Sequence, residues 1–227
     1  MSIPRFAVIT TRGERPTELA ECYNAAHAQV TYGPPGCHVV VVDNSDHGVR
    51  VGTGVGIPMV WDPHQPPNLS RLWNRGLNRV ATMARDLGLQ QWNVAVLNDD
   101  AVIDEDWFGT LSLAMRANDC VAAGFGPVGR QVIHRTPGQT ALHERMPGWA
   151  FLLAGEYQLR ADETLHWWCG DNDLDMQARQ AGGTLIQPGD QVKHYYPDQS
   201  TATRPELQAR TGVDMTIFVQ KWGFRPW

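Results

Sequence analysis

The sequence predicts an α/β fold, a single domain whose mostly parallel central sheet is flanked by helices. Three observations predict it. Short apolar runs alternate with longer stretches of helical periodicity, the order that builds β-α-β units. The runs at 39–42 and 94–97 are continuous in apolar residues, as in strands covered on both faces. Each of these runs stops abruptly in polar residues, as strands do where they leave a buried sheet for its ligand-binding edge. A chain of 227 residues fits one such domain and can bury a substantial core.

The elements follow in order. Arg5 to Thr11 reads as a first buried strand, and Arg12 to Pro16 as a loop with Pro near a helix start. Leu19, Cys22, Tyr23 and Ala26 recur at helical spacing until Gly33-Pro34-Pro35-Gly36 breaks the pattern. His38 to Val42 is a second strand, closed by Asp43-Asn44-Ser45-Asp46. Arg50 to Gly56 is rich in glycine and weakly patterned, and Ile57 to Trp61 reads as a short third strand. Asn68 is placed to cap a helix whose apolar stripe is Leu69, Leu72, Trp73, Leu77, Val80, Ala84 and Leu87, stopped by Gly88. Trp92 to Leu97 is the next strand, Asp104 to Ala117 a helix, and Cys120 to Phe125 another strand.

Gly126 to Gly148 lacks sustained periodicity and reads as irregular connection or hairpin, followed by an apolar run from Trp149 to Ala154. Leu165 to Gly170 leads into a helix that Gly182-Gly183 ends. Thr184 to Gln187 and Gln191 to His194 read as short strands. The tail places Met215, Phe218, Val219 and Trp222 on one helical face. There is no internal repeat, low-complexity tract or clear linker.

Composition narrows the function. With 42% hydrophobic and 19% charged residues the chain reads as an ordinary globular protein, and its net charge of -5 argues against extensive nucleic-acid binding. Cys22, Cys37, Cys120 and Cys169 are scattered without a C-x-x-C pair, so neither a zinc ribbon nor a disulfide framework is indicated. A reducing, cytoplasmic setting is the simplest expectation. No stretch approaches the roughly eighteen apolar residues of a membrane span. Nine tryptophans supply many large apolar faces with a donor edge, useful in cores and in sugar-binding clefts alike.

The chemistry centres on Asn98-Asp99-Asp100. Adjacent carboxylates at the end of a buried strand repel one another and resist desolvation, which a divalent cation with oxygen ligands would offset. An Asp-rich turn capping the next helix is the plainer alternative.

At this point the chain resembles the GT-A fold (Rossmann-like) nucleotide-sugar glycosyltransferases, particularly the large inverting family 2 type. The motifs that carry the resemblance run in order along the chain. They are F-A-V-I-T-T-R-G-E-R-P, V-V-V-V-D-N-S, N-L-S-R-L-W-N-R-G-L, L-N-D-D-A, W-W-C-G-D-N-D-L, and V-K-H followed later by F-V-Q-K-W-G. The resemblance implies a donor-binding part over residues 1–100 and an acceptor-binding and catalytic part over 101–227. Thr10, Thr11, Arg12 and Asp43 would line the nucleotide pocket, and Arg71 would lie over the base or near the phosphates. Asn98-Asp99-Asp100 matches D-x-D with Asn in place of the first Asp. Asp100 would then be the primary ligand of Mn²⁺ or Mg²⁺, with Asp99 near the ribose or metal and His194 as a further ligand. Asp171 would be the base that takes the acceptor hydroxyl's proton. One ring of Trp167 and Trp168 would stack on the acceptor sugar and the other join the core, if the two lie on a strand.

Each assignment has a structural alternative. Asp43 would serve as a turn residue, Arg71 as a solvated helix charge, His194 as a satisfied structural histidine and Asp171 as a helix cap. Two other functions compete with transfer to a hydroxyl. A nucleotidyltransferase would need a Gly-rich phosphate loop where Thr10 to Arg15 stands, and a carbohydrate-binding module would need neither Asp100 nor Asp171. The partners expected are a nucleotide-sugar donor, UDP-linked by default, and an unidentified hydroxyl acceptor. The loops at 126–148 and after His194 are the expected acceptor-selecting parts. Arg130, Arg135 and Arg145 would favour an anionic acceptor unless they are solvated loop charges.

Overall fold

The computed structural model describes residues 3–30, 38–49, 59–195 and 204–227. In order these form β1 (Arg5–Thr11), α1 (Pro16–Val30), β2 (Val39–Asp43), β3 (Met59–Trp61), α2 (Leu69–Asp86), β4 (Asn93–Asn98) and β5 (Ala101–Ile103). There follow α3 (Trp107–Ala117), β6 (Ala122–Gly126), β7 (Val132–His134), β8 (Ala150–Ala154), α4 (Gly170–Ala181), β9 (Thr184–Pro188), β10 (Val192–His194) and α5 (Pro205–Trp222). The expected breaks at 33–36 and 50–56, with Cys37, lie outside the described residues.

Eight strands form one sheet in the order β3-β2-β1-β4-β8-β6-β9-β7. The first four are parallel throughout, as the apolar runs predict. Beyond them the sheet is mixed: β8 runs antiparallel to both β4 and β6, and β7 antiparallel to β9. The chain moves from β1 to β2 in one direction along the sheet and from β3 to β4 in the other. Right-handed crossovers therefore place α1 and α2 on opposite faces, which leaves β1, β2 and β4 buried from both sides.

Helix α2 shows why the sequence was readable here. The Asn68 side chain accepts the backbone N–H of Arg71 at 2.9 Å, closing the first turn. Leu72, Trp73, Leu77, Val80 and Ala84 are buried on one stripe. At about 1.5–3 kcal/mol for each large side chain, that stripe outweighs the helix's intrinsic propensity. Gly88, at φ 66°, then turns the chain out of the helix.

Other elements depart from expectation. The helix expected from Asp104 begins at Trp107, because Ala101 to Ile103 pairs with Val192 to His194 as a separate antiparallel ribbon. The Asp104 N–H continues that ribbon by bonding to the Gln191 carbonyl, so the backbone turns helical only later. Segment 126–148 holds the short edge strand β7 and a 3-10 turn at Leu142–Glu144. The tail helix buries Leu207, Asp214 and Phe218, so a carboxylate shares the face expected to be apolar. Phe218 joins Leu165, Cys169 and Met176 in a small second core beside the main one. Cys22, Cys120 and Cys169 are buried free thiols.

Candidate active site

The site begins where strand order reverses. Strands β1 and β4 are neighbours, with Thr10 opposite Asn98, and the chain departs from them in opposite directions. A crevice opens beyond the carboxyl ends of such strands. Here it is a cavity of about 240 Å³ lined by residues from both strand exits, the start of β8, the first turn of α4 and the end of β10.

On one side stand the paired carboxylates. The Thr11 hydroxyl donates to Asp99 Oδ2 at 2.6 Å. Burial pushes the Asp99 carboxyl up to about 6, the neighbouring charge of Asp100 adding to the rise while Thr11 opposes it. Arg15, from the loop before α1, donates to Asp100 Oδ2 and lies 3.9 Å from Asp99 Oδ1. The β5–β10 ribbon sets His194 against Ala101, which brings its Nε2 to 3.4 Å from Asp100 Oδ1. Trp149 stacks on the His194 ring, with centroids 5.0 Å apart and planes 12° from parallel. Trp149 is there because β8 is antiparallel: its first residues, not its last, lie at the β4 exit, and Asn98 N–H bonds to the Trp149 carbonyl.

On the other side stands Asp171, in the first turn of α4. Burial raises its carboxyl above the ordinary range, against the opposing pull of Arg145 and of its bonds to backbone N–H groups. The chain enters α4 through Cys169 in the left-handed region, at φ 63°. Before it, residues 165–169 form no strand, contrary to the alternating arrangement expected of Trp167 and Trp168. The N–H groups of His166, Trp167 and Trp168 all bond to the Asp214 carboxylate, at 3.2, 2.8 and 2.9 Å. Three consecutive N–H groups converging on one carboxylate curl the backbone, and both indoles line the cavity.

The fold thus brings together Thr10, Thr11, Arg12, Asn98, Asp99, Asp100, Trp167, Trp168, Asp171 and His194 around one space. Asp43 and Arg71 do not line it. Asp43 is fully buried, its two oxygens accepting the N–H groups of Ser45 at 2.8 Å and Val49 at 2.7 Å within its own loop. Arg71 Nε bonds to Asp62 Oδ2 at 2.9 Å, an oxygen it shares with Arg75. Sequence reading passes over Arg15, Gly148, Trp149 and Asp214 and leaves Arg145 either a cation favouring an anionic acceptor or a solvated loop charge. A basic residue two positions from Gly13 in the loop facing paired carboxylates was the available signal for Arg15.

The donor atoms fit a divalent cation that shares its shell with a ligand. Asp100 Oδ1 and His194 Nε2 converge, and Asn98, which lines the same cavity, has its Oδ1 buried without a hydrogen-bond partner. Among the described residues no three His, Cys, Asp or Glu side chains cluster tightly enough to hold a metal alone. An ion here would take its remaining oxygens from diphosphate and water, as Mn²⁺ and Mg²⁺ commonly do.

No family model matches the chain, and no curated protein matches it in sequence. Solved structures do match. Residues 1–349 of S. aureus TarS superpose with a TM-score of 0.55 at 11% identity, covering 98% of this chain and 72% of that one. A second structure of S. aureus TarS gives 0.53 at 11% identity, over 84% of this chain and 36% of the other. The fold is GT-A. At such identity the likeness is one of fold, and the chemistry lies in the site. Among the described residues no helix is long and apolar enough to cross a membrane.

Proposed function

We propose that this chain is an inverting glycosyltransferase that moves a sugar from a nucleoside-diphosphate sugar, with UDP the favoured nucleotide, to an acceptor hydroxyl. The reading rests on one observation: a carboxylate pair with attendant cations and a separate, raised carboxyl face the same cavity at the sheet's switch point. The structural neighbours, GT-A-type glycosyltransferases, support sugar transfer as the general class.

Each part has a task. The acceptor oxygen attacks the anomeric carbon, its proton passes to Asp171, and the bond from that carbon to the diphosphate breaks with its electron pair on the leaving oxygen. A raised carboxyl is better matched than an ordinary one to receive that proton. Arg15 and Arg12 put fixed positive charge on the Asp99–Asp100 side, where the diphosphate would gather negative charge. Mn²⁺ or Mg²⁺ held by Asp100, His194 and Asn98 would supply further neutralisation of the departing diphosphate. Trp167 and Trp168 offer apolar faces for a sugar ring.

A thermal-shift panel of UDP, GDP, CDP and dTDP sugars, each with Mn²⁺ and with EDTA, tests the reading. Metal-dependent stabilisation by one nucleotide is expected, since a ligand bound only by the folded state raises its stability. Asp100→Ala should remove the metal dependence, and Asp171→Asn should abolish transfer while leaving donor binding intact. A protein stabilised by no nucleotide sugar, with or without metal, is not a transferase of this type.

A further inference from the structure

Arg145 stands on the Asp171 side of the cavity with little of its hydrogen-bonding capacity used. Its guanidinium lies over the Trp227 ring, 4.2 Å from the centroid, and Trp168 packs edge-on against the same ring at 6.4 Å. The indole covers one face of the guanidinium and holds it flat. Among the described residues the hydrogen bond it makes is a long one, 3.5 Å from Nη1 to Asn172 Oδ1, and no carboxylate lies within ion-pair distance. A guanidinium carries five N–H donors in a planar fork, so most of its edge is left for a ligand.

Asn172 repeats the pattern. Its residue is 1% exposed and lines the cavity, yet its Nδ2 has no partner. The contact from Arg145 makes Oδ1 the acceptor and so leaves the amide N–H₂ as the unsatisfied end. A buried donor without an acceptor costs about 1–3 kcal/mol. Two donors that both want an oxygen thus sit side by side at the first turn of a twelve-residue helix, whose N-terminal dipole also favours negative charge.

The donor diphosphate is the wrong candidate for them. In an inverting transfer the base stands opposite the leaving group, and Arg145 acts on Asp171, whereas Arg15 serves Asp99 and Asp100. We propose that the acceptor carries an oxyanion, a phosphoester or a carboxylate, near its reacting hydroxyl, and that Arg145 and Asn172 bind that group beside Asp171. The assignment rests on the glycosyltransferase reading and deepens it. It orients the acceptor by a two-point hold, anion on the fork and hydroxyl on the carboxylate, which converts binding into alignment for attack.

Indole fluorescence provides the test, because Trp149, Trp167 and Trp168 line the cavity. The protein is titrated with glycerol 3-phosphate, glycerate, inorganic phosphate and glycerol, with and without saturating UDP and Mn²⁺. Glycerol 3-phosphate or glycerate should bind in the presence of UDP at concentrations where glycerol does not, and the stronger of the two names the anion. Arg145→Gln should weaken that binding at least tenfold, Arg145→Lys less, and Asn172→Ala measurably, with UDP affinity unchanged in all three. Equal binding of glycerol and its phosphate, anion binding indifferent to Arg145→Gln, or anions displaced by UDP would each overturn the assignment. Normal UDP binding alongside any of those results leaves sugar transfer standing, so the two readings fail separately.

Discussion

The Asp214 carboxylate accepts the backbone N–H of Trp167 at 2.8 Å, joining helix α5 to the loop that leads into the candidate base across 47 residues of sequence. The same carboxylate holds His166 and Trp168, and Arg210 donates to it at 2.6 Å. Asp214 is fully buried, so its charge is tolerated only because donors surround it. Asp214→Asn would turn an amide N–H₂ towards some of these donors and take from Arg210 its charged partner, leaving it the Thr164 carbonyl. Because Arg210 is partly exposed and can take up water, the expected loss is about 2–3 kcal/mol, below the cost of breaking a fully buried pair. Urea unfolding reads it as a lower midpoint at unchanged slope. An unchanged midpoint would mean that the loop holds its shape without the carboxylate.

Gly148 is a second support for the base. A Cβ there would lie 2.7 Å from Asp171 Oδ2 and 3.0 Å from its Cγ, so Gly148→Ala must push the carboxylate aside. Displacement of a catalytic group by about 1 Å can cost on the order of 100-fold in rate. The expected result is a fall in kcat of that order, with the near-UV circular dichroism and donor affinity of the parent. A fall in donor affinity with kcat preserved would place Gly148 on the donor side instead.

Much of the fold was legible because its signals are local. The apolar runs of β1, β2 and β4, the Asn68 cap and the stripe of α2 each declare themselves within one element. What escaped is defined by partners distant in sequence. Residues 101–103 are a strand only because 192–194 lie beside them, and no three-residue pattern announces that pairing. Trp149 reaches His194 because β8 runs antiparallel, a matter of topology that an apolar run leaves open. Arg15 meets Asp100 across 85 residues, and Asp214 lies on a helical face whose neighbours read as apolar. Asp99 and Asp100 were visible at a strand end, and Asp171 with the two tryptophans as residue types just before and at a helix start. Their supports were not.

The scaffold beneath the site has a tight point at Gly76, where α2 crosses the sheet. A Cβ there would overlap Val8 Cγ1 and come within 3.0 Å of Val42 Cγ2, both on buried central strands. Alanine gains about 1 kcal/mol over glycine in a helix interior. Overpacking against two β-branched side chains costs about 1–3 kcal/mol, and these have one strongly preferred rotamer each and little room to yield. Gly76→Ala is therefore expected to destabilise by up to about 2 kcal/mol net, measured by thermal or urea unfolding. A stabilised variant would show that α2 can lift from the sheet at no cost.

The pH behaviour of Asp171 separates its charge from its geometry. Burial raises its folded pKa above the ordinary 3.8, so the group is harder to ionise in the protein than in the unfolded chain. Its contribution to stability is fully present below 3.8 and is lost as pH rises through the raised value. Above the ordinary value the folded carboxyl is therefore held at a cost relative to the unfolded chain, and Asp171→Asn should raise Tm at pH 7 while leaving it near the parent's at pH 4. The rate should behave in the opposite sense, since a base must be ionised to accept a proton: kcat/KM falls as pH drops through the same raised value. Arg145 is the charge that opposes the shift, so Arg145→Gln should move this acid limb to still higher pH. A Tm difference equal at both pH values, or a limb unmoved by Arg145→Gln, would show that Asp171 is not the buried, Arg145-tuned carboxyl that transfer requires.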